Sequence, residues 1–356
     1  MRPTQITRAT VEPFNIALPR PFETAAARRT AAHNVLLTLE LAGGAQGTGE
    51  VAPAPHVTGE DQADTLRRLE AFAGALVGQD VARYRALSEA FRRAYPEAPA
   101  ARAGLESALL DAYCRHLGVP LFHFLGGATA ELRTDVTVPI VAPAEAEEVA
   151  RQAVAQGFTD LKVKVGAGNH DFERTLAVAR AAPGVPIRLD GNQGFTPEGA
   201  VAFLRRVLDA GVTVALYEQP VPREDLAGMR FVRERVSVPV AADESVIHPE
   251  DAYRVAQAGA ADVVNLKLMK SGVLGALAIA GLCRAAGLRL MLGCMLESRL
   301  GISVAAHLAA GLGGFDFLDL DGHLLTGDTC ASGGFSQTGS RLSLSPDLPG
   351  HAATRV

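Results

Sequence analysis

Residues 161–166 read "LKVKVG". Successive side chains of a β-strand point to opposite faces, so Lys162 and Lys164 share one face while Val163 and Val165 occupy the other. A wet lysine face would make this a half-exposed antiparallel strand, whereas an enclosed one would make it part of a site. The flanking sequence decides between the two. From about residue 130 onward, short apolar runs alternate with helical patterns: "VTVPI", "DLKVKV", "PIRLD", "VALYEQP", "VPVAADES", "ADVVNLKL", "LRLMLGC" and "FDFLDLD". The ends of the second to sixth runs recur every 24–28 residues, about what one βα unit needs. Eight strand candidates with seven helices between them predict an α/β fold, a TIM barrel of the (β/α)7β type. The eighth helix is missing because residues 325–356 are rich in Gly, Ser and Pro.

Upstream the pattern differs. "ITRATVEPFNIAL" predicts a strand, "PRPFETAAARRTAAHN" a long loop, and "VLLTLELAGGAQGTGEV" two strands around a Gly-rich turn. Three helical patterns follow, the last ending at Gly118 and Pro120. Strands followed by helices indicate an α+β module. The predicted organisation is an α+β capping domain over residues 1–127 with a lid loop at about 19–33, a barrel over 128–323, and a C-terminal segment, 324–356, that packs back on the cap.

Composition narrows the function classes. The 356 residues are 48% hydrophobic and 21% charged, which excludes disorder. A net charge of −5 without a basic block makes nucleic acid an unexpected partner. No run of about 18 apolar residues stands out and residues 1–20 lack a signal-peptide core, so a cytoplasmic protein with no membrane partner is expected. The four cysteines show neither CxxC nor zinc-ligand spacing and read as ordinary thiols.

Catalytic residues of such barrels sit at the C-terminal ends of the strands. The second strand ends with Lys162 and Lys164, the third with Asp190, the fourth with Glu218, the fifth with Asp243, the sixth with Lys267. The seventh runs into Cys294, Glu297 and Ser298, and the eighth ends with Asp319 and Asp321. One acid at a strand end is ordinarily a helix cap. Three on consecutive strands converge, repel, and call for a hard divalent cation, Mg²⁺ or Mn²⁺, one per site. Strands two and six lie opposite each other in a ring of eight, so Lys164 and Lys267 flank that cation from two sides. Two opposed bases suit removal of a proton from a carbon acid on one face and its return on the other, through a metal-stabilised enolate. Lys162 is expected to lower the pKa of Lys164 so that it can act as a base.

These segments, with "DGNQG", "YEQP", "ADES", "CMLES" and the cap's "GTGEVAPAPHVTGE", resemble the enolase superfamily, muconate-lactonising-enzyme subgroup, over nearly the whole chain. Lysine bases acting with Mg²⁺ on an enediolate are that superfamily's known chemistry. The resemblance implies Asp190, Glu218 and Asp243 as Mg²⁺ ligands and Lys164 and Lys267 as the acid/base pair. Val273 departs from the commoner Lys-Ser-Gly-Gly, with little effect expected.

Asp319 and Asp321 sit opposite the fourth strand. Paired carboxylates there favour the α-ammonium of a substrate whose carboxylate is at the metal, which describes a dipeptide. "DLDGHLL" also resembles the Asp-x-Asp segment of dipeptide epimerases, most like the L-Ala-D/L-Glu type; the other reading is that both acids cap a turn. The loop "RPFETAAARRTAAH" resembles the family's mobile lid, with Thr24 over the substrate and Arg28 or Arg29 either meeting an acidic side chain or remaining solvated. Cys294, Glu297 and Ser298 are expected to line the pocket. The expectation is a Mg²⁺-dependent dipeptide epimerase inverting the C-terminal residue, in a scaffold that is often homo-oligomeric. N-succinylamino acid racemase, o-succinylbenzoate synthase, muconate cycloisomerase and a non-catalytic carboxylate binder remain alternatives.

Overall fold

The apolar–polar alternation of residues 6–51 builds an antiparallel sheet of β1 (Ile6–Glu23), β2 (Arg28–Leu41) and β3 (Gln46–Val51) in the computed structural model, which describes residues 2–25, 27–168 and 170–356. The predicted long loop is therefore a hairpin tip. β1 pairs with β2 as far as Phe22↔Arg29 and Glu23↔Arg28, across an irregularity between Ala17 and Phe22 that accommodates Pro19 and Pro21. Ala26, at the centre of the expected lid, lies outside the described residues. Five helices follow: α1 (Pro55–Thr58), α2 (Gln62–Leu76), α3 (Tyr84–Ala94), α4 (Pro99–Leu117) and α5 (Leu121–Phe124). Asp61 caps α2 by accepting from Asp64 N–H at 2.8 Å, and Gly118 ends α4 in the left-handed region, φ 69°.

β4 (Glu131–Arg133) leads into eight parallel strands that pair in chain order: β5 (Val136–Val138), β6 (Leu161–Lys164), β7 (Ile187–Asp190), β8 (Val214–Glu218), β9 (Val240–Ala242), β10 (Val263–Lys267), β11 (Arg289–Gly293) and β12 (Phe317–Leu318). Asp135 N–H donates to Leu318 O at 3.3 Å and Leu320 N–H to Thr134 Oγ1 at 2.8 Å, which draws the last strand to the first and closes the barrel. Between strands run α6 (Pro143–Ala155), α7 (Asp171–Ala181), α8 (Pro197–Asp209), α9 (Leu226–Arg233), α10 (Pro249–Ala258), α11 (Leu268–Ala285) and α12 (Arg299–Leu312). Only a single turn, α13 (Gly322–Leu325), stands where an eighth helix would.

Leu161, Val163 and Val165 face the helices in the main apolar core, so the lysines of β6 point into the barrel. Leu216, Ala241, Val263 and Met291 fill the barrel below them and shut water out from that end. By length and mean hydropathy α11 is apolar enough to cross a membrane, but Lys270 and Arg284 interrupt its apolar run and it packs against α4 and α10. Its helix breaks at Gly272, φ 72°, where a side chain would strike the Glu106 carboxylate at 2.5 Å; Val273 beside it is fully buried.

The last residues form β13 (Ala331–Gly333), β14 (Ser336–Thr338), β15 (Arg341–Ser343) and β16 (Ala353–Arg355). They reach the N-terminal elements through Leu121 N–H to Gly350 O at 2.8 Å, His351 N–H to Asp111 Oδ1 at 2.9 Å and an Arg355–Glu12 ion pair.

β3 lies against α4 with no room between their backbones. A Cβ on Gly49 would sit 1.9 Å from Gly104 O, and one on Gly104 2.3 Å from Val51 Cγ2. Gly49→Ala is expected to destabilise the protein by about 1–3 kcal/mol, read as a lower denaturant midpoint with unchanged m-value.

Candidate active site

The site lies at the C-terminal ends of the barrel strands beneath the β1–β2 hairpin tip. The register Lys164↔Asp190↔Glu218 sets three of its side chains at one depth. Asp190, Glu218 and Asp243 come from adjacent strand ends and are at most 1% exposed. Four lysines meet them. Lys162 Nζ lies 2.9 Å from Asp190 Oδ2, 2.8 Å from Glu218 Oε2 and 2.7 Å from Asp319 Oδ2. Lys164 donates to Asp190 Oδ2 at 2.6 Å, and Lys267 Nζ is 2.8 Å from Asp243 Oδ2. Lys270, not singled out in the sequence, donates to Asp243 Oδ1 at 2.6 Å and to Asn265 O at 3.1 Å. Lys164 and Lys267 stand four strands apart on the cavity wall, while Lys162 is fully buried and off that wall.

Burial governs the electrostatics. It would raise Asp190 and Asp243, but Lys162 and Lys164 outweigh it at the first, and Lys267 and Lys270 at the second, so both carboxyls stay well below their ordinary range. Burial would likewise lower Lys162, but Asp190, Asp319 and Glu218 hold it charged. Burial, then Asp190, pushes Glu218 up to about 7; burial, then Asp243, does the same to Glu244. The charge of these acids is therefore shared among four lysines, and the crowding shows in the two raised glutamates. Among the described residues Glu244 Oε2 has no hydrogen-bond partner, and Glu218 Oε2 has only the ion-pair contact with Lys162. An oxygen-only donor set of three buried carboxylates fits a hard divalent cation held by Asp190, Glu218 and Asp243.

Opposite them, Asp319 and Asp321 face the cavity with Cys294. Asp321 Oδ2 accepts from Thr137 N–H at 2.6 Å, and burial with Asp319 nearby pushes its carboxyl up to about 6. From the hairpin tip, Phe22, Thr24 and Arg29 reach the cavity. Thr24 N–H donates to Ala27 O at 2.9 Å, which fixes the turn. Arg28 does not reach it: pairing with Glu23 leaves its side chain 63% exposed, pairing there at 3.5 Å. The pleat turns adjacent residues to opposite faces, so only Arg29 faces inward. Arg29 lies 3.4 Å from His56 Nδ1, a contact sequence reading missed because α1 folds over the barrel from the cap. Burial, then Arg29, Lys267 and Lys164, lowers His56 to about 4 and keeps it neutral.

Glu297 and Ser298 do not line the cavity, contrary to expectation. The chain turns away after Leu296, and Ser298 becomes the N-cap of α12, accepting from Leu300 N–H at 3.1 Å. Both Ser298 N–H and Oγ donate to Glu50, at 2.9 and 2.6 Å, and Gly301 N–H donates to it at 2.9 Å. Asn34 Nδ2 bridges Glu50, at 2.7 Å, and Leu296 O, at 2.9 Å. Sequence offered one signal for this clamp, a lone acid in the "GTGEV" strand.

A model of the enolase C-terminal domain-like family matches residues 144–354, and one of the mandelate racemase/muconate lactonizing enzyme N-terminal domain matches residues 6–126. The chain belongs to the mandelate racemase/muconate lactonizing enzyme family. It is 42% identical over 351 residues to the aromatic dipeptide epimerase of Herpetosiphon aurantiacus, covering 98% of both chains. The crystal structure of a family member from the same organism superposes with a TM-score of 0.96 at 42% identity, covering 100% of both chains. The dipeptide epimerase of Enterococcus faecalis, complexed with Mg and L-Leu-L-Tyr, superposes with a TM-score of 0.94 at 34% identity, covering 98% of this chain and 99% of that one.

Glu297 carries a pH signature. Burial pushes its carboxyl from 4.5 up to about 8, with Oε2 lacking a hydrogen-bond partner among the described residues. The folded state thus holds a proton that the unfolded chain releases above its ordinary pKa, and stability falls as pH rises from about 4.5 to about 8. Glu297→Gln removes that term. Thermal unfolding of this variant is expected to decline less steeply than wild type across the window.

Proposed function

We propose that this family member is a Mg²⁺-dependent dipeptide epimerase that inverts the Cα of the C-terminal residue of an L,L-dipeptide by a two-lysine proton transfer. The observation that carries the reading is the placing of Lys164 and Lys267 on opposite strands, with three buried carboxylates between them and a second acid pair, Asp319 and Asp321, just after the eighth strand. Two of the relatives named above, the aromatic dipeptide epimerase of Herpetosiphon aurantiacus and the dipeptide epimerase of Enterococcus faecalis, support it. Bound by Asp190, Glu218 and Asp243, Mg²⁺ supplies stabilisation of the negative charge that develops on a substrate carboxylate when its α-proton leaves; Mn²⁺ suits the same donors.

The chain's own residues do the rest. One lysine takes the Cα proton from one face and the other delivers a proton to the opposite face, so the centre inverts. Lys162 holds Asp190, Glu218 and Asp319 in place and adds positive potential beside Lys164. Asp319 and Asp321 receive the dipeptide's α-ammonium. Thr24, Arg29 and Phe22 close the cavity from above, which excludes water from the carbanion.

The same acid pair argues against the succinylated and aromatic substrates of N-succinylamino acid racemases, o-succinylbenzoate synthases and muconate cycloisomerases, whose anionic tails it would repel. A binder of carboxylates has no use for two opposed lysines.

Incubation of L,L-dipeptide pools with the enzyme and Mg²⁺ in deuterated water is expected to add one deuterium at Cα of particular dipeptides, and EDTA to abolish it. Lys164→Ala and Lys267→Ala are each expected to lower turnover by at least about 100-fold; near-normal turnover of either sinks the two-base assignment. Asp321→Asn is expected to raise KM for the dipeptide by about 10-fold or more, through loss of a charged partner, and to leave the Mg²⁺ requirement unchanged. Equal loss of both would show that Asp321 does not meet the ammonium.

A further inference from the structure

Cys294 ends β11 beside the two acids of the eighth strand, and no step of the proposed reaction uses its thiol. One ligand atom each from Cys294, Asp319 and Asp321 lies within 4.8 Å of the others, and all three residues are buried. Cys294 Sγ is 3.9 Å from Asp321 Oδ1. A tetrahedral zinc with Zn–S of about 2.3 Å and Zn–O of about 2.1 Å has an S···O edge of roughly 3.6 Å, so a small shift closes the triangle.

The free atoms point the same way. Asp321 Oδ2 is taken by Thr137 N–H, and Asp319 Oδ2 by Lys162, which leaves Asp319 Oδ1 for a ligand and Asp321 Oδ1 with only the Cys294 thiol against it. Asp319 Oδ1 is buried and has no hydrogen-bond partner among the described residues. Asp135, Asp319 and Asp321 crowd this wall, where Arg188 donates to Asp135 at 2.7 Å and Lys162 meets Asp319 at 2.7 Å. Burial, with Asp319 and Asp321 beside it, pushes the Cys294 thiol well up, so it stays protonated until a cation arrives.

We propose that Cys294, Asp319 and Asp321 form a second cation site, for a thiophilic divalent cation of the Zn²⁺ or Cd²⁺ class, distinct from the oxygen-only set of Asp190, Glu218 and Asp243. As the sulfur–metal bond forms, the thiol proton leaves to solvent. Mg²⁺, which takes oxygen ligands and dehydrates reluctantly, does not compete for a thiolate. No sequence motif marks this site, because the ligands follow two different strands and show no metal spacing. As a metal site it stands on these side chains alone; as an inhibitory one it rests on the ammonium placement proposed above, since the cation and the ammonium would occupy the same acids.

The test is a Cd²⁺ titration of the full chain with Mg²⁺ in excess, followed by the near-ultraviolet sulfur-to-cadmium absorption. The expected result is one saturable band per chain, kept in Cys330→Ser and lost in Cys294→Ser. Cd²⁺ affinity in the latter should fall by more than the roughly 10-fold that loss of even an outer-shell partner costs. Should Cys294→Ser not fold, alkylation of the wild-type protein mapped by peptide mass answers instead, with Cd²⁺ expected to protect Cys294. No band, a band that survives Cys294→Ser, or alkylation of Cys294 unaffected by Cd²⁺ overturns the site. Displacement of the band by a dipeptide is a separate readout: band formation without displacement keeps the metal site and removes its inhibitory role along with the ammonium placement.

Discussion

The site depends on one buried ammonium. Lys162 touches Asp190, Glu218 and Asp319 within 2.9 Å, at a depth where apolar side chains seal the barrel from below. Carboxylates taken out of water are tolerated only when paired, and a pair broken from one side leaves a charge that the interior cannot solvate. Lys162 is therefore what allows the acids of β7 and β8 and Asp319 after β12 to occupy one barrel. Its alternate-residue neighbour, Lys164, is displaced by one pleat toward the cavity and keeps a single carboxylate partner. The question raised by two lysines in one valine strand has a geometric answer: the deeper one holds the acids together and the shallower one faces the substrate space.

A second constraint ties the roof to the barrel. Gly47 and Gly49 bring β3 against α4, which carries Glu50 inward until its carboxylate meets Ser298 and the first turn of α12. Backbone donors at a helix N-terminus and one hydroxyl pair its oxygens there, while burial still pushes the carboxyl up. Asn34, on the hairpin strand below the lid, shares the same carboxylate and also holds Leu296 O of the cavity wall. The hairpin tip is therefore cantilevered from a fixed base.

Features carried by period and local spacing were legible in the sequence. The eight strands showed as apolar runs at a near-constant interval, and a barrel's geometry then placed Lys164, Asp190, Glu218, Asp243 and Lys267 around one mouth. Features carried by tertiary register were not. Pro19 and Pro21 read as loop, yet β1 continues past them because the pairing slips there. Arg28 and Arg29 are equivalent in the sequence, and only the pairing Phe22↔Arg29 decides which faces the cavity. Glu297 and Ser298 follow a strand end closely enough to look like pocket residues, but a partner 248 positions away, Glu50, claims Ser298 for the clamp. Lys270 is one helical turn beyond Lys267, and only the fold brings both to Asp243.

The charges are also ordered across the barrel mouth. The acids at the ends of β7, β8 and β9 lie on one side, Lys164 and Lys267 flank them, and Asp319 and Asp321 close the far side. A molecule bound there meets a cation-dependent anion site at one end and an acid pair at the other, with a lysine at either flank of the bond between. Turning a dipeptide end for end would set its ammonium against the lysines and its carboxylate against the acid pair, both repulsive in a low-dielectric cavity. His56 preserves this polarity: held neutral, it meets Arg29 without adding a further cation to the roof, so the positive charge stays with Arg29 and the lysines at the flanks.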